Sequence, residues 1–97
     1  MPVFPNAPTP QGNQSALNIT SATVIKASAG VVVTISVLVV GTSVGTVNDC
    51  LTTGAAAVSN QVAPIPEAVG TYAINALCAT GIVVVPGTGQ TLAVMYA

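Results

Sequence analysis

The sequence predicts an all-β fold, an antiparallel β-sandwich of jelly-roll or Ig-like type with about seven short strands. Three observations support this prediction. Short runs rich in Val, Ile and Thr alternate with turns rich in Gly, Pro and Asn. The runs recur at intervals of roughly ten residues, as in sandwiches and small barrels. No stretch shows the apolar period of a long helix.

The chain is expected to divide into an extended N-terminal arm and one β-sandwich domain. Residues 1–14 contain four of the seven prolines and few side chains to bury, which favours an extended arm. Phe4 is its large apolar anchor, and docking on a neighbouring subunit is one interpretation of this arm. A frayed terminus is the other. Residues 15–97 are expected to form the folded domain.

Two short runs open the domain. Residues 16–20 alternate in polarity, so Leu17 and Ile19 are expected on one face of a strand. Residues 23–26 form a second short strand, or continue the first after a kink. The small residues at 28–30 then indicate a turn.

The longest predicted strand is the run VVVTISVLVV at residues 31–40. Its odd-numbered residues are all apolar and are expected to face the core: Val31, Val33, Ile35, Val37 and Val39. The opposite face mixes hydroxyl and apolar side chains, which makes it a candidate contact surface. The candidate contact residues are Phe4 of the arm and, on this face, Val32, Thr34, Ser36 and Leu38.

The same run is the best candidate for a membrane span, and the prediction is against one. It is about half the roughly 20 residues that a spanning helix needs. It is dominated by β-branched residues, which favour strands. The first residues also lack the basic and apolar regions of a signal peptide. We therefore expect an interior strand and no membrane partner.

The second half of the domain continues the strand pattern. Residues 46–51 are read as a strand and residues 54–57 as a loop with one helical turn. Residues 60–66 are extended, and their two prolines confine them to a sheet edge or a loop. Residues 71–77 alternate, which places Tyr72, Ile74 and Ala76 on one face.

The end of the chain predicts a β-hairpin. The β-rich runs 80–85 and 90–96 flank Pro86-Gly87-Thr88-Gly89, a turn sequence. The stretch Gly87–Thr91 faintly resembles a phosphate-binding loop. Gln90 stands where that loop needs Lys, and a strand follows where it needs a helix. The turn is therefore the better interpretation.

The composition restricts the function classes. Only 3% of the residues are charged, namely Lys26, Asp49 and Glu67, and the chain has no His. A nucleic-acid groove needs clustered basic residues, and acid–base catalysis needs positioned titratable groups. We expect no enzyme activity, no catalytic residues, no nucleic-acid partner and no small-molecule substrate. Because charge normally keeps copies of a domain apart, such a surface indicates a structural or binding module whose faces are covered by assembly.

The few reactive side chains are better interpreted as structural than as catalytic or metal-binding. Cys50 and Cys78 are expected to be reduced, buried thiols that pack as small apolar groups, with a structural disulfide as the alternative. Two cysteines without histidine make a poor zinc site. Asp49 alone is too few carboxylates for calcium and is expected to bind backbone N–H groups. Neither a cofactor nor a metal is predicted.

Two stretches carry a resemblance to a known class of proteins. Residues 15–30 (SALNITSATVIKASAG) and residues 78–97 (CATGIVVVPGTGQTLAVMYA) are similar to small virion proteins of tailed bacteriophages. The resemblance covers about residues 15–97 and includes no catalytic motif. It implies a capsid decoration (cement) or head-fibre protein made in the bacterial host cytoplasm. It also implies binding, as a dimer or trimer, to the outer surface of a shell built from an HK97-type major capsid protein.

Two alternatives stay open at this point. A phage tail, neck or fibre subunit would use the same β-sheet chemistry at a lower copy number. A self-assembling cellular adhesin or pilus-like subunit would require an export signal, which the first residues do not show.

Overall fold

The computed structural model describes residues 14–97, which form two packed, four-stranded antiparallel sheets. The strands, in chain order, are β1 (Gln14–Ile19), β2 (Thr23–Lys26), β3 (Gly30–Val39), β4 (Gly45–Asp49), β5 (Gln61–Ile65), β6 (Gly70–Cys78), β7 (Ile82–Val85) and β8 (Thr91–Tyr96). The predicted all-β sandwich is confirmed. Apart from Gln14, the first residue of β1, the predicted arm with Phe4 lies outside the described residues.

The strand order is that of a jelly roll. The chain is a long antiparallel ribbon folded at the β4–β5 connection, with pairs β1·β8, β2·β7, β3·β6 and β4·β5. Two further pairs, β3·β8 and β4·β7, roll this ribbon into two sheets. Sheet A has the order β1-β8-β3-β6 and sheet B the order β2-β7-β4-β5. Of the two expected sandwich types, the structure is therefore the jelly roll. In an Ig-like domain the last two strands lie in one sheet, whereas here β7 and β8 lie in different sheets.

The predicted C-terminal hairpin is wrong. Strand β7 pairs with β2 and β4 in sheet B, whereas β8 pairs with β1 and β3 in sheet A. Residues 86–90 therefore cross from one sheet to the other. Both runs do form strands, but each finds its hydrogen-bonding partners among residues far away in the chain.

Two β-bulges change which side chains face the core. In β1 the register shifts between Ala16 and Ile19, where Asn18 has a positive φ of 58°. Ala16 consequently packs against the core and Leu17 is exposed, contrary to the predicted shared face of Leu17 and Ile19. Asn is among the residues that adopt this left-handed conformation most readily.

The second irregularity lies in β3, between Val32 and Thr34, and it corrects the predicted faces of the longest strand. Val32 is fully buried in the core, together with Ile35 and Val37. Val39, expected in the core, is exposed, while the remaining expected core residues, Val31 and Val33, are only half-buried. The extra residue shifts the alternation by one position, so Val32 cannot be a contact residue.

Other features of the second half follow the prediction. Strand β5 lies at an edge of sheet B, and β6 places Tyr72, Ile74 and Ala76 toward the core. The β4–β5 connection contains two short 3-10 turns, at Thr53–Ala55 and Val58–Asn60. No helix among residues 14–97 is long and apolar enough to cross a membrane.

Candidate interaction surface

The outer face of sheet A is an uncharged surface of the fold. We define it by the exposed and half-exposed residues that alternate with core residues on its strands: Leu17, Val31, Thr34, Ser36, Leu38, Thr71, Ala73, Leu77 and Met95. The four strands of sheet A, all within residues 14–97, contain no charged residue. A ligand or partner would therefore displace water here without stripping an ion of its hydration.

Small side chains form the centre of this face. Ser36 lies between Thr71 on β6 and Ala93 on β8, and the hydroxyls of Ser36 and Thr71 are hydrogen-bonded at 3.0 Å. In the adjacent row Thr34 lies between Ala73 and Met95. Because Thr34, Ser36, Thr71, Ala73 and Ala93 have short side chains, little protrudes at the centre except Met95, and the Ser36 and Thr71 hydroxyls satisfy each other.

Large apolar side chains surround this centre. Leu17 is 67% exposed, Leu38 55% and Leu77 75%. Single exposed apolar residues are ordinary on protein surfaces, but several on one uncharged face indicate an interaction site. The arrangement is suited to contact with a broad apolar or neutral surface.

The structure brings three of the predicted contact residues together. Thr34, Ser36 and Leu38 lie on the outer face of sheet A, Val32 lies in the core, and Phe4 lies outside the described residues. Leu77 also lies on this outer face and was not among the predicted contact residues. The predicted shared face of Tyr72, Ile74 and Ala76 placed Leu77 on the opposite face of the strand, which was the available signal.

Asp49 has a structural role at the end of the sandwich where the β6–β7 connection lies. Its carboxylate accepts hydrogen bonds from the backbone N–H groups of Ala79, Thr80 and Gly81, at 2.9, 2.8 and 3.2 Å. These donors, Ala79 first, lower the pKa of Asp49 below the ordinary value of 3.8. The prediction that Asp49 binds backbone N–H groups is confirmed, and the tie joins β4 to the β6–β7 connection.

Both cysteines are free and buried, as predicted. The Cys50 thiol donates to the carbonyl of Thr52 at 3.4 Å. Burial, with smaller contributions from Asp49 and Cys50, raises the pKa of Cys78 to about 11. A thiol with so high a pKa is almost entirely protonated at neutral pH, and the thiolate is the nucleophile. Cys78 is therefore suited to packing and not to attack on a substrate.

Gln90, which stands at the position of the lysine in a phosphate loop, is a buried structural side chain. Its Oε1 accepts a hydrogen bond from the Gly87 N–H at 2.8 Å, and its Nε2 donates to the Pro66 carbonyl at 2.7 Å. It thereby joins the β7–β8 crossing to the β5–β6 connection. A Cβ on Gly87 would lie 1.8 Å from the Ser43 carbonyl oxygen, so this corner requires glycine.

The described part of the chain contains no cavity and no cluster of three or more His, Cys, Asp or Glu side chains. The outer face of sheet A therefore stands out as the candidate site. In comparisons with known proteins, no family model, no curated protein and no solved structure gives a significant match to this chain.

Proposed function

We propose that this chain is a structural virion protein, a capsid decoration (cement) protein that binds the outer surface of a major capsid shell. The observation that carries the proposal is the uncharged outer face of sheet A with its exposed leucines. The resemblance of residues 15–30 and 78–97 to small phage virion proteins supports the same role. Those stretches include β1, β2, β7 and β8 of the jelly roll.

The outer face of sheet A can bury apolar side chains in an interface without the cost of desolvating a charged group. Each leucine that passes from water into an interface contributes about 1.5–3 kcal/mol. The neutral centre, with Thr34, Ser36 and Ala73, adds no charge to desolvate. A face of this kind that bridges neighbouring capsid subunits would resist their separation.

The test is the occupancy of the protein on particles. Leu38→Lys and Leu77→Lys each place a charge on the outer face of sheet A, and we expect each to weaken binding about 10- to 100-fold, the equivalent of one lost leucine contact. Val58→Lys is the matched control, because Val58 is 89% exposed but lies in the β4–β5 connection. It should bind as the unchanged protein does. Quantitative sedimentation of capsids with added protein measures all three variants.

Two results would contradict the proposal. One is equal binding of the two leucine variants and the Val58 control, with circular dichroism showing that all are folded. The other is the copy number in purified virions, measured by quantitative mass spectrometry. A decoration protein should approach the number of major capsid subunits, whereas a few copies per particle would indicate a tail, neck or fibre subunit.

A further inference from the structure

The sheet edges differ in how well they are protected against pairing with another strand. Strand β2 has four residues and carries Lys26, and β5 contains Pro64, which cannot donate a backbone hydrogen bond. Strand β1 is interrupted by the bulge at Asn18. Charge, proline, bulges and shortness are the usual means of blunting an edge.

Strand β6 is the longest of the four edge strands, and its own register shift, at Asn75, leaves the first half of the strand regular. It is nine residues long and has neither a charged residue nor a proline. Within residues 14–97 it pairs with β3 alone, so the other side of its backbone has no strand beside it. Its regular part, Thr71–Ile74, lies between Gly70 and Asn75, where φ is positive at 52°. Such an edge is a template for an added strand.

We propose that β6 pairs antiparallel with β6 of a second copy of this chain, about a two-fold axis at Ala73. The axis is perpendicular to the sheet, so the two A sheets join into one continuous sheet. Both outer faces then lie on the same side. This inference does not depend on the proposed capsid role, although a dimer would present two copies of the binding face together.

A two-fold axis at Ala73 places apolar side chains opposite apolar side chains, and small side chains opposite small ones. On the core side, Tyr72 lies opposite Ile74 of the partner subunit, and both side chains are partly buried apolar groups in the single copy. Cross-strand pairs of an aromatic with a β-branched residue are among the stabilising ones. On the outer side, the small Ala73 side chains meet at the axis without crowding.

The proposed pairing is confined to the regular part of β6, before the positive φ of Asn75 shifts the register. Val69 and Leu77, on either side of this segment, are 62% and 75% exposed, so apolar side chains border it. With no charge in sheet A, two copies also approach this edge without like-charge repulsion.

A charge exchange at the axis tests the proposal. Ala73 is exposed and faces its own copy across the axis, so Ala73→Lys and Ala73→Glu each oppose two like charges. We expect the unchanged chain to sediment as a concentration-dependent dimer. Each variant alone should need a concentration at least about tenfold higher than the unchanged chain needs to dimerise. An equimolar mixture of the two variants should dimerise again, because opposite charges then face each other.

Two further measurements locate the contact. Leu38→Lys, on the interior strand β3, should keep the dimer, and hydrogen exchange at Thr71–Ile74 should slow as concentration rises. The inference is overturned by a chain that stays monomeric at every soluble concentration, by Ala73 variants that dimerise normally, or by no recovery in the mixture. Loss of capsid binding in Leu38→Lys with the dimer intact would separate this proposal from the proposed function.

Discussion

At the scale of single residues, asparagine sets the direction of the side chains around it. Asn18 and Asn75 are the two non-glycine residues among 14–97 with positive φ, and each lies where a sheet register shifts. The bulge at Asn18 exposes Leu17 and keeps Ile19 in the core. At Asn18 a simple alternation rule fails, because one inserted residue exchanges the faces of the residues beyond it. In β6, by contrast, Tyr72, Ile74 and Ala76 keep one common face across Asn75.

Substitutions at Asn18 should show this conformational requirement. Glycine adopts positive φ freely, so Asn18→Gly should change the free energy of unfolding little. Asn18→Val should lower it by roughly 1–2 kcal/mol, because a β-branched side chain is strained there. Ser15→Val, at a regular exposed position of the same strand, is the control and should be close to neutral. Urea unfolding measures all three, and an equal effect of valine at both positions would contradict the assignment.

At the scale of secondary-structure elements, polar side chains tie the connections to the sheets. Asp49 at the end of β4 binds three N–H groups of the β6–β7 connection. At the other end Gln90 bridges two connections, and Thr42 N–H donates to the Thr88 carbonyl at 2.9 Å. Most connections of a jelly roll cross between sheets, so these ties replace the hairpin hydrogen bonds that such crossings lack.

The tie at Asp49 makes stability depend on pH in a defined direction. Its pKa is lower in the folded chain than the ordinary 3.8, because the N–H groups favour the carboxylate. Its contribution is therefore fully present above the unfolded pKa and is lost as pH falls through the folded pKa. Asp49→Asn should have a lower urea midpoint than the unchanged chain near neutral pH, and the difference should shrink in acid. A difference that is constant with pH would contradict this role.

At the scale of the whole molecule, the fold is completed by pairing the two ends of the described chain. Gln14 of β1 lies opposite Tyr96 of β8, and β8 also fills the space beside β3. The innermost pair, β4·β5, is the most local one, and it still spans an eleven-residue connection. The topology therefore demands that distant segments meet before much of the core is buried.

Such a topology predicts slow folding. Non-local pairing must offset loop-closure entropy before contacts form, and comparable all-β domains fold in roughly milliseconds to seconds. We expect refolding on that scale, followed by stopped-flow fluorescence of Tyr72 and Tyr96, since the chain has no Trp. Refolding complete within microseconds would contradict the long-range pairing of β1 with β8.

Several properties follow from the sequence alone: the strand-forming runs, the extended proline-containing segment that forms β5, the preference for buried, reduced thiols and the near absence of charge. These properties are local or compositional, and they follow from side-chain shape, periodicity and the lack of ionisable groups. The folded chain was needed to show that β7 and β8 belong to different sheets, that β5 is an edge strand and not a loop, that Val32 is in the core, and that Gln90 is buried between two connections. The reason is that a strand's partner and a bulge's position depend on residues far along the chain, which no local pattern encodes.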